Sequence, residues 1–121
     1  MKKAILIIAA IMFLGGVIHI GLTPLLYGGL TLNALWYSSA GLALMFGAGI
    51  NYLVITATPW QARFFAVGHL SNLLGSVLLG LILLVLPAPH VALLLLLVVA
   101  ETVLVIWSQM AAARSGVAVR S

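Results

Sequence analysis

The chain has no cysteine, one acidic residue in 121 and only 5% charged side chains. Without cysteine there is no disulfide framework, no thiolate nucleophile and no iron–sulfur ligation. So few charges exclude an ordinary soluble domain, where about a quarter of the residues are charged. No nucleotide-binding loop and no metal-spacing motif such as His-Glu-x-x-His occurs. The five cations are scattered and form no basic patch interleaved with aromatics, so no nucleic-acid partner is expected despite an isoelectric point near 10.2.

What is present is hydrocarbon. Hydrophobic residues make up 65% of the chain and its mean hydropathy is +1.36. A membrane span needs about 20 predominantly apolar residues, and four fit, at residues 5–22, 32–55, 62–86 and 91–112. Short connections make consecutive spans antiparallel neighbours. The expectation is an all-α, multi-pass integral membrane protein, one domain over residues 1–121, folded as an up-down-up-down bundle of four transmembrane helices in the lipid bilayer. Thr23-Pro24 is expected to stop the first helix, Thr56–Trp60 to turn between the second and third, and Pro87–His90 to turn before the fourth. The tail from Arg114 is expected to fray.

Lys2, Lys3, Arg63, Arg114 and Arg120 are all the Lys and Arg of the chain, and four spans put every one of them on one side. The positive-inside rule then predicts a bacterial-type inner membrane protein with both termini in the cytoplasm. Met1-Lys2-Lys3 before an apolar run has the look of a signal peptide, but Gly15–Ile20 continues apolar without a small-x-small cleavage site, so an uncleaved first span is expected.

Each span carries one small or polar stripe: Met12, Gly16 and His19; Ser39, Ala43, Gly47 and Asn51; His69, Asn72, Ser76 and Gly80; Leu97, Glu101, Leu104 and Ser108. Helices in lipid associate through such stripes, by close approach and interhelical hydrogen bonds. At about 1.5 Å per residue, Asn51, His69, Asn72 and Glu101 fall in the cytoplasmic half. Tyr52, Trp107 and Gln109 are placed to close that layer from below. His19 lies near the outer end, level with Asn33, Trp36 and Tyr37.

Glu101, the sole acid, lies within a run of Leu and Val, and an intramembrane carboxyl is read as functional by default. The candidate catalytic pair is Glu101 with His69, acting as complementary acid and base or forming an ion pair. The candidate ligand contacts are Asn51, Asn72, Ser76, Tyr52, Trp107, His19 and Trp36. Asn51 and Asn72 also suit plain helix packing, and the aromatics suit an interfacial belt. His19 and His69 differ in depth by about 15 Å on the same rise, too far apart to ligate one haem. No metal and no cofactor are expected.

Three functions remain open. The first is binding of a small lipophilic molecule at the Glu101/His69 site, with acid–base conversion of that molecule as an extension. The second is proton-coupled export by a homodimer. In size and span count the chain resembles the small multidrug resistance transporters, but their key Glu lies in the first span and Glu101 lies in the fourth, so no residue carries over. The third is a structural or accessory membrane subunit. The sequence leaves open whether the protein is an enzyme.

Overall fold

A computed structural model describes residues 1–57 and 62–114. It contains four helices: α1, Lys2–Tyr27; α2, Leu32–Thr56; α3, Ala62–Val85; and α4, Pro89–Arg114. All four are long and apolar enough to cross a membrane, which suggests a multi-pass membrane protein. In hydrocarbon a helix is the solution for a single segment, because it satisfies its own backbone polar groups. The outward faces are Leu, Ile, Val and Phe, as at Ile7, Leu14, Phe46, Leu73 and Leu96.

Pro24 does not stop the first helix. α1 runs through it to Tyr27 and ends at Gly28, which adopts the left-handed conformation (φ 62°) and donates its N–H to Pro24 O at 3.1 Å. Proline removes only its own N–H from the ladder, and the Thr23 hydroxyl bonds back to the His19 carbonyl at 3.1 Å. The sharper stop is the glycine, which reaches positive φ without a Cβ penalty. Thr31 caps α2, its hydroxyl accepting from Ala34 N at 3.1 Å. Pro89, expected in a turn, opens α4 instead; a proline in the first turn forfeits a hydrogen bond that would be unmade anyway. The turn at Thr56 begins at Ala57, whose backbone is extended. Pro59, Trp60 and the tail beyond Arg114 lie outside the described residues.

Consecutive helices are antiparallel neighbours. Gly16 meets Gly41 while Thr23 meets Ser38; Asn51 meets Asn72 while Val54 meets Gly68; α3 packs on α4, and α4 returns to α1. The α1–α2 crossing is close because both partners are glycine. A Cβ on Gly16 would sit 2.5 Å from Gly41 O, and one on Gly41 would sit 2.8 Å from Gly16 O. Bare backbone of this kind lets helices gain van der Waals contact where lipid supplies no hydrophobic drive.

The core occupies the half of the bundle nearer the termini. Ile5, Val54, Ile55, Phe65 and Val105 form its base, and Ala9, Met12, Leu44, Ala48 and Val98 form a second cluster above. α3 joins this core through Phe65, Gly68 and Asn72, with partly buried Leu79 packed against the second cluster, and none of its residues from Leu73 to Val85 is buried. Beyond Asn72, α3 and α2 line the cavity described next.

Candidate functional site

Asn51 on α2, Asn72 on α3 and Glu101 on α4 meet between the two core clusters. Asn51 Nδ2 donates to Asn72 Oδ1 at 2.8 Å and to Glu101 Oε2 at 2.9 Å, and Asn72 Nδ2 donates back to Asn51 Oδ1 at 3.0 Å. Asn51 and Glu101 are fully buried and Asn72 is 2% exposed. Local sequence explains the placement. Each residue lies on the small or polar stripe of its helix, and Ala48 and Gly68, one turn away, let the backbones close in. Glu101 Oε1 is buried and has no hydrogen-bond partner among the described residues.

His69 does not join Glu101. Its Nε2 lies 2.7 Å from Gln109 Oε1, its ring stacks on Phe65 at 6.1 Å, and its buried Nδ1 has no partner among the described residues. The expected ion pair with Glu101 is therefore replaced by a hydrogen bond to a neutral amide. The reason is direction. Side chains lean toward the N-terminus of their own helix, so on antiparallel α3 and α4 His69 leans toward the termini and Glu101 leans away.

Above the Asn72 amide lies a cavity of about 420 Å³ between α2 and α3, backed by α1 and α4. This volume is within the range of about 300–1,000 Å³ typical of small-molecule sites. Its α2 wall is cut from small residues, Ala40, Ala43 and Gly47; Gly75 and Leu79 face it from α3, and Val98 from α4. A Cβ built on Gly47 would meet nothing within 4 Å. From Asn72 to Leu86, both in the lining, the slot rises about 21 Å at 1.5 Å per residue. Exposed Trp36, Leu78 and Leu86 lie on its edges, so it opens to the surface along the α2–α3 seam.

The mouth is aromatic and polar. His19 stacks on Tyr37 with centroids 3.7 Å apart, Tyr27 leans on Tyr37 at 5.6 Å, and Asn33 and His90 complete the rim. Behind it Ser38 donates to Thr23 Oγ1 at 3.0 Å.

Of the residues singled out from the sequence, Asn72, His19 and Trp36 line the cavity. Asn51 and Glu101 stand behind Asn72 and reach the cavity only through it. Ser76 is half-buried, and Tyr52 and Trp107 are exposed on outer faces, 54% and 60%. His90, expected in the turn before the fourth span, is on the first turn of α4 and at the rim. Tyr37, the stacking partner of His19, was named only as its neighbour in depth. The stripe Ala43, Gly47 and Asn51 was the signal for the cavity wall, but a stripe of small residues reads equally as a packing seam. No group of three or more His, Cys, Asp or Glu side chains able to hold a metal occurs among the described residues.

The arrangement offers a neutral hydrogen-bonding amide at the closed end of an apolar slot, anchored from behind by a carboxyl group. No family model, no curated protein and no solved structure matches the chain.

Proposed function

We propose that the protein is a membrane-embedded binder of a small lipophilic molecule, held in the α2–α3 slot with its polar end at Asn72. The observation that carries this reading is the cavity of about 420 Å³ that ends on the hydrogen-bonded Asn51–Asn72–Glu101 cluster. An apolar slot with one convergent polar group is the form small-molecule sites take. Binding has more support than acid–base conversion, because Glu101 and His69 are not in the lining and are not bonded to each other. It also has more support than export by a homodimer, because a single chain encloses the slot on four helices.

The same reading carries the cellular placement. Lys2, Arg63 and Arg114 stand at one end of the bundle, and the positive-inside rule makes that end cytoplasmic in a bacterial-type inner membrane.

The test is native mass spectrometry of the detergent-purified protein beside Gly47→Phe, whose Cβ would meet nothing within 4 Å and whose ring would occupy the slot. The wild type is expected to carry a discrete lipophilic adduct that the variant loses. An adduct retained in the variant, or none in either, contradicts the proposal.

A further inference from the structure

We infer that the deep end of the slot selects a neutral hydrogen-bond acceptor, a carbonyl oxygen on an apolar tail, and that Glu101 is the positioning residue that sets this preference through Asn51. The inference rests on the binding reading above and specifies the ligand's chemistry.

The argument is a count of donors and acceptors. An Asn amide has two N–H donors and one carbonyl acceptor with two lone pairs. Asn51 uses both hydrogens, one on Asn72 Oδ1 and one on Glu101 Oε2, and its carbonyl accepts from Asn72 Nδ2. Asn72 thus has one amide hydrogen engaged and one left over, and it lines the cavity. An orphan N–H in an apolar setting is the costlier omission; a carbonyl with one of two lone pairs filled is commonly tolerated. The demand at the floor of the slot is therefore for an acceptor. Among the described residues no Lys, Arg, Asp or Glu lines the cavity, so a charged group at that depth would meet no counter-charge from them, and burial without one is prohibitive. The remaining class is a neutral acceptor, of which a carbonyl oxygen is the strongest common form, on a tail that follows the apolar walls to the mouth.

Glu101 decides which way the two amides face. Its Oε2 accepts, so the Asn51 NH₂ must point toward α4, the Asn51 carbonyl toward Asn72, and the Asn72 NH₂ toward Asn51, which leaves its second N–H to the cavity that Asn72 lines. Without an acceptor at residue 101 both amides can turn over, presenting a carbonyl to the slot instead. Glutamine keeps an acceptor oxygen at that place; leucine does not. A group acting as an acid on the ligand would not survive replacement by glutamine, so one substitution separates positioning from acid–base chemistry.

The probes are 2-decyl-1,4-benzoquinone and decylbenzene, which share a tail and differ in the carbonyl oxygens. Their occupancy is read by native mass spectrometry on wild type, Glu101→Gln, Glu101→Leu and Asn72→Leu. One hydrogen bond predicts roughly fivefold higher quinone occupancy in the wild type, held within about twofold in Glu101→Gln and lost in both leucine variants. Decylbenzene occupancy should be the same in wild type and in both Glu101 variants, whose side chain is outside the lining. A Glu101→Gln that loses the preference as Glu101→Leu does overturns the positioning role. Equal occupancy by both probes in wild type overturns the acceptor preference while leaving slot binding intact. Failure of both probes to bind overturns the binding reading itself. Should the leucine variants not fold, wild type against Glu101→Gln with the two probes still decides, because loss of the quinone preference there refutes the inference.

Discussion

Asn51 and Glu101, separated by 50 residues in the chain, share a 2.9 Å hydrogen bond at the fully buried centre of the bundle. That bond ties α2 to α4, and the reciprocal amide pair ties α2 to α3. One side chain thus connects three helices. Individual interhelical hydrogen bonds in membranes average only about 0.6 kcal/mol, but removing a partner and leaving a buried polar group unmet costs about 1–3 kcal/mol.

The first prediction follows from this. Asn51→Leu leaves both Glu101 and the Asn72 amide without their partner, so it should destabilise more than Asn72→Leu, which leaves Asn51 its bond to Glu101. Thermal unfolding in one detergent is expected to rank Asn51→Leu below Asn72→Leu, by about 1 kcal/mol. The reverse order would mean that Glu101 takes little from Asn51.

A second prediction concerns the α1–α2 crossing. Gly16→Ala forces a Cβ to within 2.5 Å of Gly41 O, whereas Gly15→Ala meets nothing within 4 Å. Overpacking of a tight contact costs about 1–3 kcal/mol, so Gly16→Ala should lower the unfolding midpoint. Gly15→Ala should match the wild type or exceed it slightly, alanine being the better helix former by about 1 kcal/mol. Equal behaviour of the two variants would contradict the crossing.

His69 supplies a third. Its ring bonds Gln109 and stacks on Phe65, and it is absent from the cavity wall. His69→Ala is expected to lower stability while leaving the adduct of the purified protein unchanged in mass and occupancy. Loss of the adduct in a folded His69→Ala protein would return His69 to the ligand site.

The turn between α1 and α2 gives a fourth. Gly28 holds φ at 62°, and left-handed backbone costs a residue bearing Cβ roughly 1–2 kcal/mol. Gly28→Ala should destabilise by about 1 kcal/mol in chemical unfolding; an unchanged midpoint would mean that the turn readily adopts another conformation.

The helices were legible because hydropathy over about 20 residues is a property of the sequence alone. The boundary at Pro24 was not, because proline forbids one hydrogen bond while glycine, four residues on, permits the reversal. Depth arithmetic put Asn51, His69, Asn72 and Glu101 together in one half of the bundle, and Asn51, Asn72 and Glu101 are hydrogen-bonded. It did not separate His69 from them, because arithmetic on Cα positions ignores the opposite lean of side chains on antiparallel helices. The slot was the least legible feature. It lies between α2 and α3 beyond Asn72, and the residues there, Leu78, Leu79 and Ile82, read the same whether they meet a neighbouring helix, a ligand or lipid.

The most direct test of slot occupancy is photo-crosslinking in bilayers. A fatty alcohol bearing a diazirine midway along its chain would be irradiated with the protein, and the labelled residues located by peptide mass spectrometry. The account predicts label concentrated on the slot walls, at Ala43, Leu44, Leu79 and Leu94, and abolished by Gly47→Phe. Label spread evenly over lipid-facing positions such as Leu73, Leu81 and Leu96, and indifferent to Gly47→Phe, would contradict it.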